Sequence, residues 1–426
     1  MKSVHTRSQG RSNGHLRSSE RGPRVFLYSH DTYGLGHFRR NLLIGEALGK
    51  AIPEVSILCA TGSPRSHSFH LPPRFDYLKM PSTTKDVDGT YRSRSLDLSL
   101  AEVTELRSRL LRAAVVAFRP DLVLVDQAPT GMEGELLPAL HELRRQRPQT
   151  RLVFGMRDLI DDPERVQAEW SRPATRDALR SLYDAIFVYG MRKVFDVARE
   201  YRLEPAVAAK VRLLGYLDPG SPSASREETR ASLGLENGRR LVLVTVGGGG
   251  DGDPVVRAFL DAVRGAGDPG FDSLVVTGPL MSPRKRARFG TIARSARGVR
   301  LVEFAPNVLD LLAASDAVVS MAGYNSVCEI LSAGTPCVLV PRKRPRLEQT
   351  VRAERLARLG LARVLDPDTL TPRALLDEIE AALEGKRPDP RATLDFGGTE
   401  RTVRAIRGLL DRGARARVRL ARALRP

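Results

Sequence analysis

The stretch SMAGYNSVCE, at residues 320–329, completes a strand pattern, passes through a turn of small residues and starts a helix. Residues 316–320 form a short, mostly apolar run that is typical of a buried parallel strand. The helical pattern begins at about Asn325 and ends at the Gly-Thr-Pro sequence of residues 334–336. A strand, a turn and a helix N-terminus together present free backbone N–H groups and a positive dipole end. The stretch therefore predicts a binding site for an anion such as a diphosphate.

Glu329 is the charged residue of this stretch. It lies one helical turn after the small residues, three positions after Ser326 and on the same helix face. From there its carboxylate can accept hydrogen bonds from the two hydroxyls of a ribose. The alternative is an ordinary strand-to-helix crossover with a surface glutamate that faces solvent.

The rest of the chain alternates strand and helix patterns in two similar series. Such alternation predicts an α/β protein with two doubly wound parallel-sheet (Rossmann-like) domains that face a crevice. The predicted strands lie at residues 24–29, 55–59, 122–125, 152–154, 186–188 and 211–216 in the first series, and at 241–246, 273–277, 300–303, 316–320 and 337–340 in the second. Helices are predicted at 100–118 and 132–146, and residues 81–99 read as a long polar insertion.

These patterns divide the chain into five segments. We predict a disordered basic tail at 1–22, a first domain that binds an acceptor at 23–217, and a Pro-, Gly- and Ser-rich linker at 218–224. A second domain that binds the anionic ligand follows at 225–397. A C-terminal helix with a basic tail occupies 398–426.

The net charge of +18 is concentrated at the chain ends. Residues 1–24 carry six basic side chains and one acidic one, and residues 412–426 carry six arginines and no acid. The tails suit an anionic membrane surface or another polyanion, whereas plain solubility is the alternative; no specific nucleic acid is expected. The chain has no apolar run of membrane-spanning length and no signal-peptide h-region, and its three cysteines lack metal-type spacing. A cytoplasmic protein with reduced cysteines is predicted.

The loop after the first strand contains candidate catalytic chemistry. Gly34 and Gly36 let the backbone approach a ligand, and His37 begins a helix at the crevice, with Arg40 on its first turn. Histidine is suited to taking a proton from an acceptor hydroxyl near neutral pH, although it can also cap the helix or shape the acceptor pocket. Asp126, at the end of another strand, can orient His37, act as the base itself or cap its strand.

Two further positions lie at predicted strand ends. Arg157 and Asp158 follow the strand at 152–154, where they can bind the acceptor or form a structural ion pair. Gly247 and Gly248 begin the sequence GGGGDG, which satisfies G-x-G-x-x-G. No acid follows at the end of the next strand and no Lys-Ser/Thr ends the loop, so neither a nicotinamide nucleotide nor ATP hydrolysis is indicated. The glycines are interpreted as a wall of the crevice.

Residues 321–329, 334–341, 348–349 and 356–364 together resemble the sugar-nucleotide domain of GT-B glycosyltransferases of the MurG-like type. The resemblance covers most of residues 24–410 and implies that the C-terminal helix crosses back onto the first domain. It implies that Glu329 binds the nucleotide ribose and that the turn Ala322, Gly323, Tyr324, Asn325 and Ser326 holds the diphosphate. It also implies that Glu348 and Gln349 meet the donor sugar, that backbone atoms near Ala305 read the nucleobase, and that His37 serves as general base.

The expected function is transfer of a sugar from a nucleotide diphosphate sugar, UDP-linked, to a hydroxyl acceptor, with the nucleotide sugar as co-substrate and no cofactor. The absence of a D-x-D cluster in a suitable loop predicts a metal-independent reaction. Common retaining enzymes of this fold carry a second glutamate eight positions before the ribose glutamate. In this chain Met321 occupies that position, and its side chain cannot replace a carboxylate. Inversion at the anomeric carbon is therefore expected. Nucleotide-sugar 2-epimerisation and non-catalytic binding are the alternatives. A peripheral position on the inner face of the membrane is compatible with the basic tails.

Overall fold

The computed structural model describes residues 21–30, 36–85, 90–234, 238–305 and 307–423. Gly34, the turn at 88–89 and most of the predicted N-terminal tail lie outside these ranges. The predicted fold class is confirmed, because two separate parallel sheets with helices around them form the body of the chain.

The first domain contains nine strands and seven α-helices among its described residues. The strands are β1 Arg24–Ser29, β2 Ser56–Thr61, β3 Phe75–Lys79, β4 Thr83–Lys85, β5 Tyr91–Ser93, β6 Leu122–Asp126, β7 Arg151–Arg157, β8 Ala185–Tyr189 and β9 Val211–Leu213. The helices are α1 Gly36–Ala51, α2 Leu100–Phe118, α3 Leu137–Gln146, α4 Pro163–Trp170, α5 Pro173–Asp177, α6 Val197–Glu200 and α7 Pro205–Ala208.

Seven of these strands form one parallel sheet in the order β3-β2-β1-β6-β7-β8-β9. The middle parts of its central strands are apolar, as expected for strands covered on both faces; Val25 to Tyr28 are fully buried. The polar insertion at 81–99 contains the antiparallel pair β4–β5, which the sequence did not predict as strands.

The second domain contains six strands in a parallel sheet of order β12-β11-β10-β13-β14-β15. These are β10 Arg240–Thr245, β11 Phe271–Val276, β12 Val299–Val302, β13 Ala317–Ser320, β14 Cys337–Leu339 and β15 Arg363–Val364. The remaining helices are α8 Arg226–Ser232, α9 Asp253–Ala266, α10 Pro283–Arg294, α11 Val308–Ala314, α12 Tyr324–Ser332, α13 Glu348–Arg358, α14 Pro372–Glu384, α15 Pro390–Thr393 and α16 Gly398–Ala423.

Three local differences from the predicted elements have identifiable causes. The helix predicted at 132–146 is a 3-10 turn followed by α3, because Gly134 takes a positive φ of 81° between them. The strand predicted at 211–216 ends at 213, because Gly215 has a φ of 84° and the next residue, Tyr216, bonds to the Asp395 carbonyl instead. The edge strands β3 and β15 were missed because one is half exposed and the other has only two residues.

The two domains share one apolar core cluster, which includes Tyr216, Tyr324, Phe396 and Ile406. Tyr216 at the end of the first domain stacks on Tyr324 of α12, with 6.0 Å between the ring centroids. Helix α16 packs against α1, β6 and β7 of the first domain. A continuous hydrophobic contact of this kind opposes free rotation of one domain against the other.

Candidate active site

A cleft of about 2360 Å³ runs between the two sheets at the carboxyl ends of their strands. Loops that follow β1, β6, β7, β10 and β13 all contribute to its walls, which is where parallel α/β sheets place their ligands. Fourteen of the predicted site residues line it: Gly36, His37, Arg40, Arg157, Gly247, Gly248, Ala305, Gly323, Tyr324, Asn325, Ser326, Glu329, Glu348 and Gln349. The other described ones, Asp126, Asp158 and Ala322, lie buried behind the walls.

His37 and Asp126 form a close pair at the first-domain side of the cleft. The two atoms that join them, His37 Nδ1 and Asp126 Oδ2, are 2.6 Å apart. Arg40 Nη2 also lies 2.9 Å from His37 Nδ1, but it donates to both carboxylate oxygens of Asp126 at 2.7 and 2.6 Å. Because an ionised carboxylate only accepts hydrogen bonds, we assign the proton of His37 to Nδ1, which leaves Nε2 as the basic nitrogen.

The charge of Asp126 is stabilised although the residue is buried. Burial raises the pKa of the Asp126 carboxyl, but the attraction of Arg40 and then of His37 outweighs this and lowers the pKa to about 2. Asp126 is therefore ionised at neutral pH. It is 2 % exposed and does not line the cleft, so its contacts favour orienting His37 over acting as the base itself.

The turn before α12 has the geometry that the sequence predicted. Strand β13 ends at Ser320, and α12 begins at Tyr324 with an extended Gly323 at its N-cap. Asn325 Nδ2 donates to the carbonyl of Gly36 in the first domain at 2.9 Å. The free N–H groups of the first helical turn lie beside the cleft, where an anion would meet the positive end of the helix dipole.

Glu329 lines the cleft, as predicted, and its carboxylate is covered. Only 6 % of the residue is exposed, and its Oε1 accepts a hydrogen bond from Arg39 Nη2 across the cleft. Helix α12 contacts α1 of the first domain, and the alternative of a surface glutamate that faces solvent does not hold. The sequence contained Arg39 next to the predicted loop but no signal for this contact.

Tyr324 and Ala322 stabilise the turn through contacts with arginine side chains. The Tyr324 ring is buried and lies between two guanidinium groups, those of Arg40 and Arg352, each 5.7 Å from the ring centroid. The carbonyl of Ala322 accepts a hydrogen bond from Arg352 Nη1 at 2.8 Å. Their side chains therefore shape the turn, and the Ala322 carbonyl is already bonded.

Arg352 supports the site and was not predicted from the sequence. It is fully buried on α13, and its guanidinium pairs with Asp158 of the first domain, with Nη2 to Oδ1 at 2.6 Å. Of the two interpretations of Asp158, this contact supports the structural ion pair over acceptor binding. The available signal was position: Arg352 follows Glu348 by four residues, on the buried face of an amphipathic helix.

Glu348 and Arg157 both line the cleft and influence each other electrostatically. Glu348 accepts a hydrogen bond from Arg342. Burial raises the pKa of the Glu348 carboxyl, but the attraction of Arg342 and Arg157 outweighs burial, so the pKa is lowered. Gln349 Oε1 accepts a hydrogen bond from the backbone N–H of Arg342 at 3.2 Å. Desolvation lowers the pKa of Arg157 to about 10, and its Nε donates to Gln127 Oε1 at 3.2 Å. Arg157 thus remains a cation at neutral pH at the edge of the first-domain wall.

The glycine loop after β10 forms the opposite wall. Gly247 has a φ of 61°, and a side chain at the following Gly249 would place its Cβ 2.0 Å from the Thr277 carbonyl oxygen. Glycine is therefore required for the loop to lie this close to β11, which keeps the wall thin. His30, which was not predicted as a site residue, also lines the cleft; its Nε2 is 3.0 Å from the hydroxyl of Tyr91 in β5.

Within the described ranges, no three His, Cys, Asp or Glu side chains gather as metal ligands. The three cysteines are buried and unpaired by disulfides, as expected for reduced core residues. No helix in the described part of the chain combines the length and the apolar character needed to cross a membrane.

Two facing parallel sheets with the cleft between them define the GT-B class of glycosyltransferases, and the comparisons with known proteins agree. Residues 243–395 match the glycosyltransferase family 28 C-terminal domain. MurG of Acinetobacter baumannii has the same fold, with a TM-score of 0.55 at 15% identity over 91% of this chain and 99% of that one.

Relatives found by sequence comparison indicate a family within the GT-B glycosyltransferases. The chain is 30% identical over 276 residues to the UDP-N-acetylglucosamine--N-acetylmuramyl-(pentapeptide) pyrophosphoryl-undecaprenol N-acetylglucosamine transferase of Symbiobacterium thermophilum. The aligned region covers 60% of this chain and 72% of that protein. It is 28% identical to an uncharacterized glycosyltransferase of Methanopyrus kandleri, MK0977, over 44% of this chain and half of that protein's length. The chain belongs to the MurG-like family of GT-B glycosyltransferases.

Proposed function

We propose that this glycosyltransferase moves a sugar from a UDP-linked donor to a hydroxyl acceptor, with inversion at the anomeric carbon and without a metal ion. The observation that carries the proposal is the position of the His37–Asp126 pair, which lies across one cleft from the N-terminus of α12. A base and an anion site that face each other are what a displacement at a sugar phosphate needs.

The donor is proposed to bind along the second domain. Its ribose would meet Glu329, its diphosphate the turn at 322–326, its sugar Glu348 and Gln349, and its base the backbone near Ala305. The UDP moiety is suggested by the donor in the name of the Symbiobacterium relative. Support comes from all of these groups lining the same cleft, apart from Ala322, which lies behind the turn.

In the proposed step, His37 Nε2 takes the proton of the acceptor hydroxyl as its oxygen attacks the anomeric carbon. The bond from that carbon to the diphosphate oxygen breaks on the opposite face, and Asp126 stabilises the imidazolium that forms. Backbone N–H groups and the α12 dipole would take up the charge of the leaving diphosphate, a role that a cation fills elsewhere. Met321, in place of a carboxylate, is the reason to expect inversion.

The donor site is tested by the heat stability of the purified protein with a panel of nucleotide sugars, followed by calorimetry with UDP. Glu329→Ala is expected to weaken UDP binding by roughly 1.5–3 kcal/mol, the range for hydrogen bonds to a charged group. Folding should survive, because the freed Arg39 side chain is 39% exposed and can be hydrated. Glu380→Ala, an exposed glutamate on α14 of the same domain, serves as the matched control. Equal UDP affinity in both variants would remove the donor-site assignment.

The reaction type is tested by product analysis. Transfer gives a new glycoside, whereas the alternative, 2-epimerisation, gives a changed nucleotide sugar or its free sugar. The proton coupling constant at the anomeric carbon should show a β-linked product from an α-linked donor. A product that keeps the donor's anomeric configuration contradicts the inverting mechanism.

The proposed acceptor is carried at a membrane surface. The Symbiobacterium relative's name gives an undecaprenol-linked acceptor, and the basic ends of this chain suit an anionic surface. A peripheral position on the inner face of the membrane follows from this proposal.

A further inference from the structure

Arg39 and Glu329 form an ion pair between the two domains, so Arg39 is not a local support of the Glu329 carboxylate. It belongs to the first turn of α1, whereas Glu329 belongs to α12 of the second domain. Among the hydrogen bonds of the described residues, Arg39 is the one partner of the Glu329 carboxylate. The group that is proposed to hold the donor ribose therefore already carries a guanidinium from the opposite side of the cleft.

The surroundings leave Arg39 room to move. A second cavity of about 260 Å³ lies next to the main cleft, and both cavities are lined by Arg39, Asn325 and Glu329. The ion pair thus stands at the boundary between two open spaces. Arg39 has a side chain that is 39% exposed, whereas that of Glu329 is 8% exposed. Arg39 is therefore the more accessible partner, and it borders two open spaces into which its side chain can turn.

The energies favour an exchange of partners. Solvent reaches the Arg39 side of this ion pair and screens it, and the long Arg39 side chain loses entropy when it is held in one conformation. A diphosphate carries more negative charge than a carboxylate, and the planar guanidinium fork can bind two phosphate oxygens at once. The turn of residues 322–326, where the diphosphate is proposed to bind, begins the helix that carries Glu329.

We infer that Arg39 exchanges partners when the donor binds: it neutralises Glu329 in the empty protein and passes to the diphosphate oxygens when the ribose hydroxyls take the carboxylate. This inference rests on the proposed donor site. It makes Arg39 the residue that distinguishes a nucleoside diphosphate from a nucleoside.

The test compares UDP with uridine, which has the ribose and base but no phosphate. The affinities of both ligands are measured by calorimetry for the wild-type protein, Arg39→Ala and Arg39→Lys. The affinity of uridine is measured by its displacement of bound UDP. The matched control is Lys50→Ala, an exposed cation on the last turn of the same helix that pairs with Glu46 of that helix. All variants change surface-accessible side chains, and circular dichroism checks their folding.

For Arg39→Ala we expect UDP affinity to fall about tenfold or more, the effect of losing a charge-assisted hydrogen bond. Uridine affinity should stay level or rise by up to about fivefold, because the competing cation is gone. Arg39→Lys should lose less UDP affinity than Arg39→Ala, since it keeps the charge but not the fork. Lys50→Ala should match the wild type.

Two results overturn the inference. An equal loss for UDP and uridine means that Arg39 only holds Glu329 in position, and unchanged UDP affinity means that it never meets the diphosphate. A wild-type protein that binds neither UDP nor uridine instead removes the proposed function, whatever the Arg39 variants do.

Discussion

Among single residues, His37 is the group whose chemistry the fold prepares most completely. Its Nδ1 is held at 2.6 Å by Asp126, and Asp126 is itself held by Arg40, so the ring has a fixed tautomer and a fixed direction. Orientation of this kind lowers the barrier because the base need not be ordered during the reaction.

His37→Ala is expected to lower turnover by about 10²- to 10⁴-fold, the usual contribution of a general base, while UDP affinity stays nearly constant. Turnover with a soluble acceptor analogue and UDP calorimetry measure the two quantities separately. His141→Ala, an exposed histidine of α3, is the matched control. If turnover of His37→Ala stays within a few-fold of wild type, Asp126 becomes the better candidate for the base.

Asp126 also gives a pH-dependent prediction for stability. Its pKa is lowered from 3.8 to about 2 in the folded chain, so its ionised form stabilises the fold above about pH 4. That contribution, roughly 2 kcal/mol, is lost as the pH falls from about 4 to about 2. The difference in free energy of unfolding between wild type and Asp126→Asn should therefore shrink across this window in urea titrations. A difference that does not change with pH would contradict the depressed pKa.

Among the helices and strands, α13 joins the two domains through Arg352. Its guanidinium reaches Asp158 after β7 and the Ala322 carbonyl before α12, and none of these atoms is near solvent. The preceding loop makes a second junction: the N–H of Leu347 donates to Asp161 at 2.7 Å, and Arg346 donates to Glu169 at 3.0 Å. Helix α13 and its loop therefore set how the second domain meets the first.

Arg352→Met is expected to lower the free energy of unfolding by about 3–5 kcal/mol, because it leaves the Asp158 carboxylate buried without its cation. The double variant Arg352→Met, Asp158→Leu should lose markedly less, since no unpaired charge remains. Urea unfolding of both proteins measures the difference. A double variant that is as unstable as the single one would show that the contact with Ala322, and not the ion pair, carries the effect.

Across the molecule as a whole, the halves are joined by a shared apolar core and by buried ion pairs. Such an interface resists separation, so closure of the cleft is expected to come from small movements of its loops and of side chains such as Arg39.

Deleting residues 1–20 and 415–426 should leave turnover on a soluble acceptor analogue intact, because the groups of the proposed site lie elsewhere. Binding to anionic liposomes should fall, and its sensitivity to salt should shrink, because arginines near a charged surface each contribute about 1 kcal/mol. Sedimentation with liposomes at two salt concentrations measures this. Equal binding before and after the deletion would mean that the tails serve solubility alone.

The class of fold and the position of the cleft could be predicted from the amino-acid sequence alone. Apolar strands and helical repeats are local patterns, and parallel strands must bring their carboxyl ends to one edge of the sheet. That rule is enough to assign His37, Arg157, Gly247 and Glu329 to the cleft, and all four line it. Short or half-exposed edge strands such as β15 carry too little pattern to be recognised.

The pairing of charged side chains depends on tertiary packing and could not be predicted from local sequence patterns. Arg39 and Glu329 are 290 positions apart, and Arg352 and Asp158 are 194 apart, so neither pairing leaves a trace in local periodicity. Each depends on how one folded sheet packs against another. That packing covers Glu329, which the alternative interpretation left facing solvent, and it makes Asp158, a candidate acceptor ligand, part of the contact between the domains.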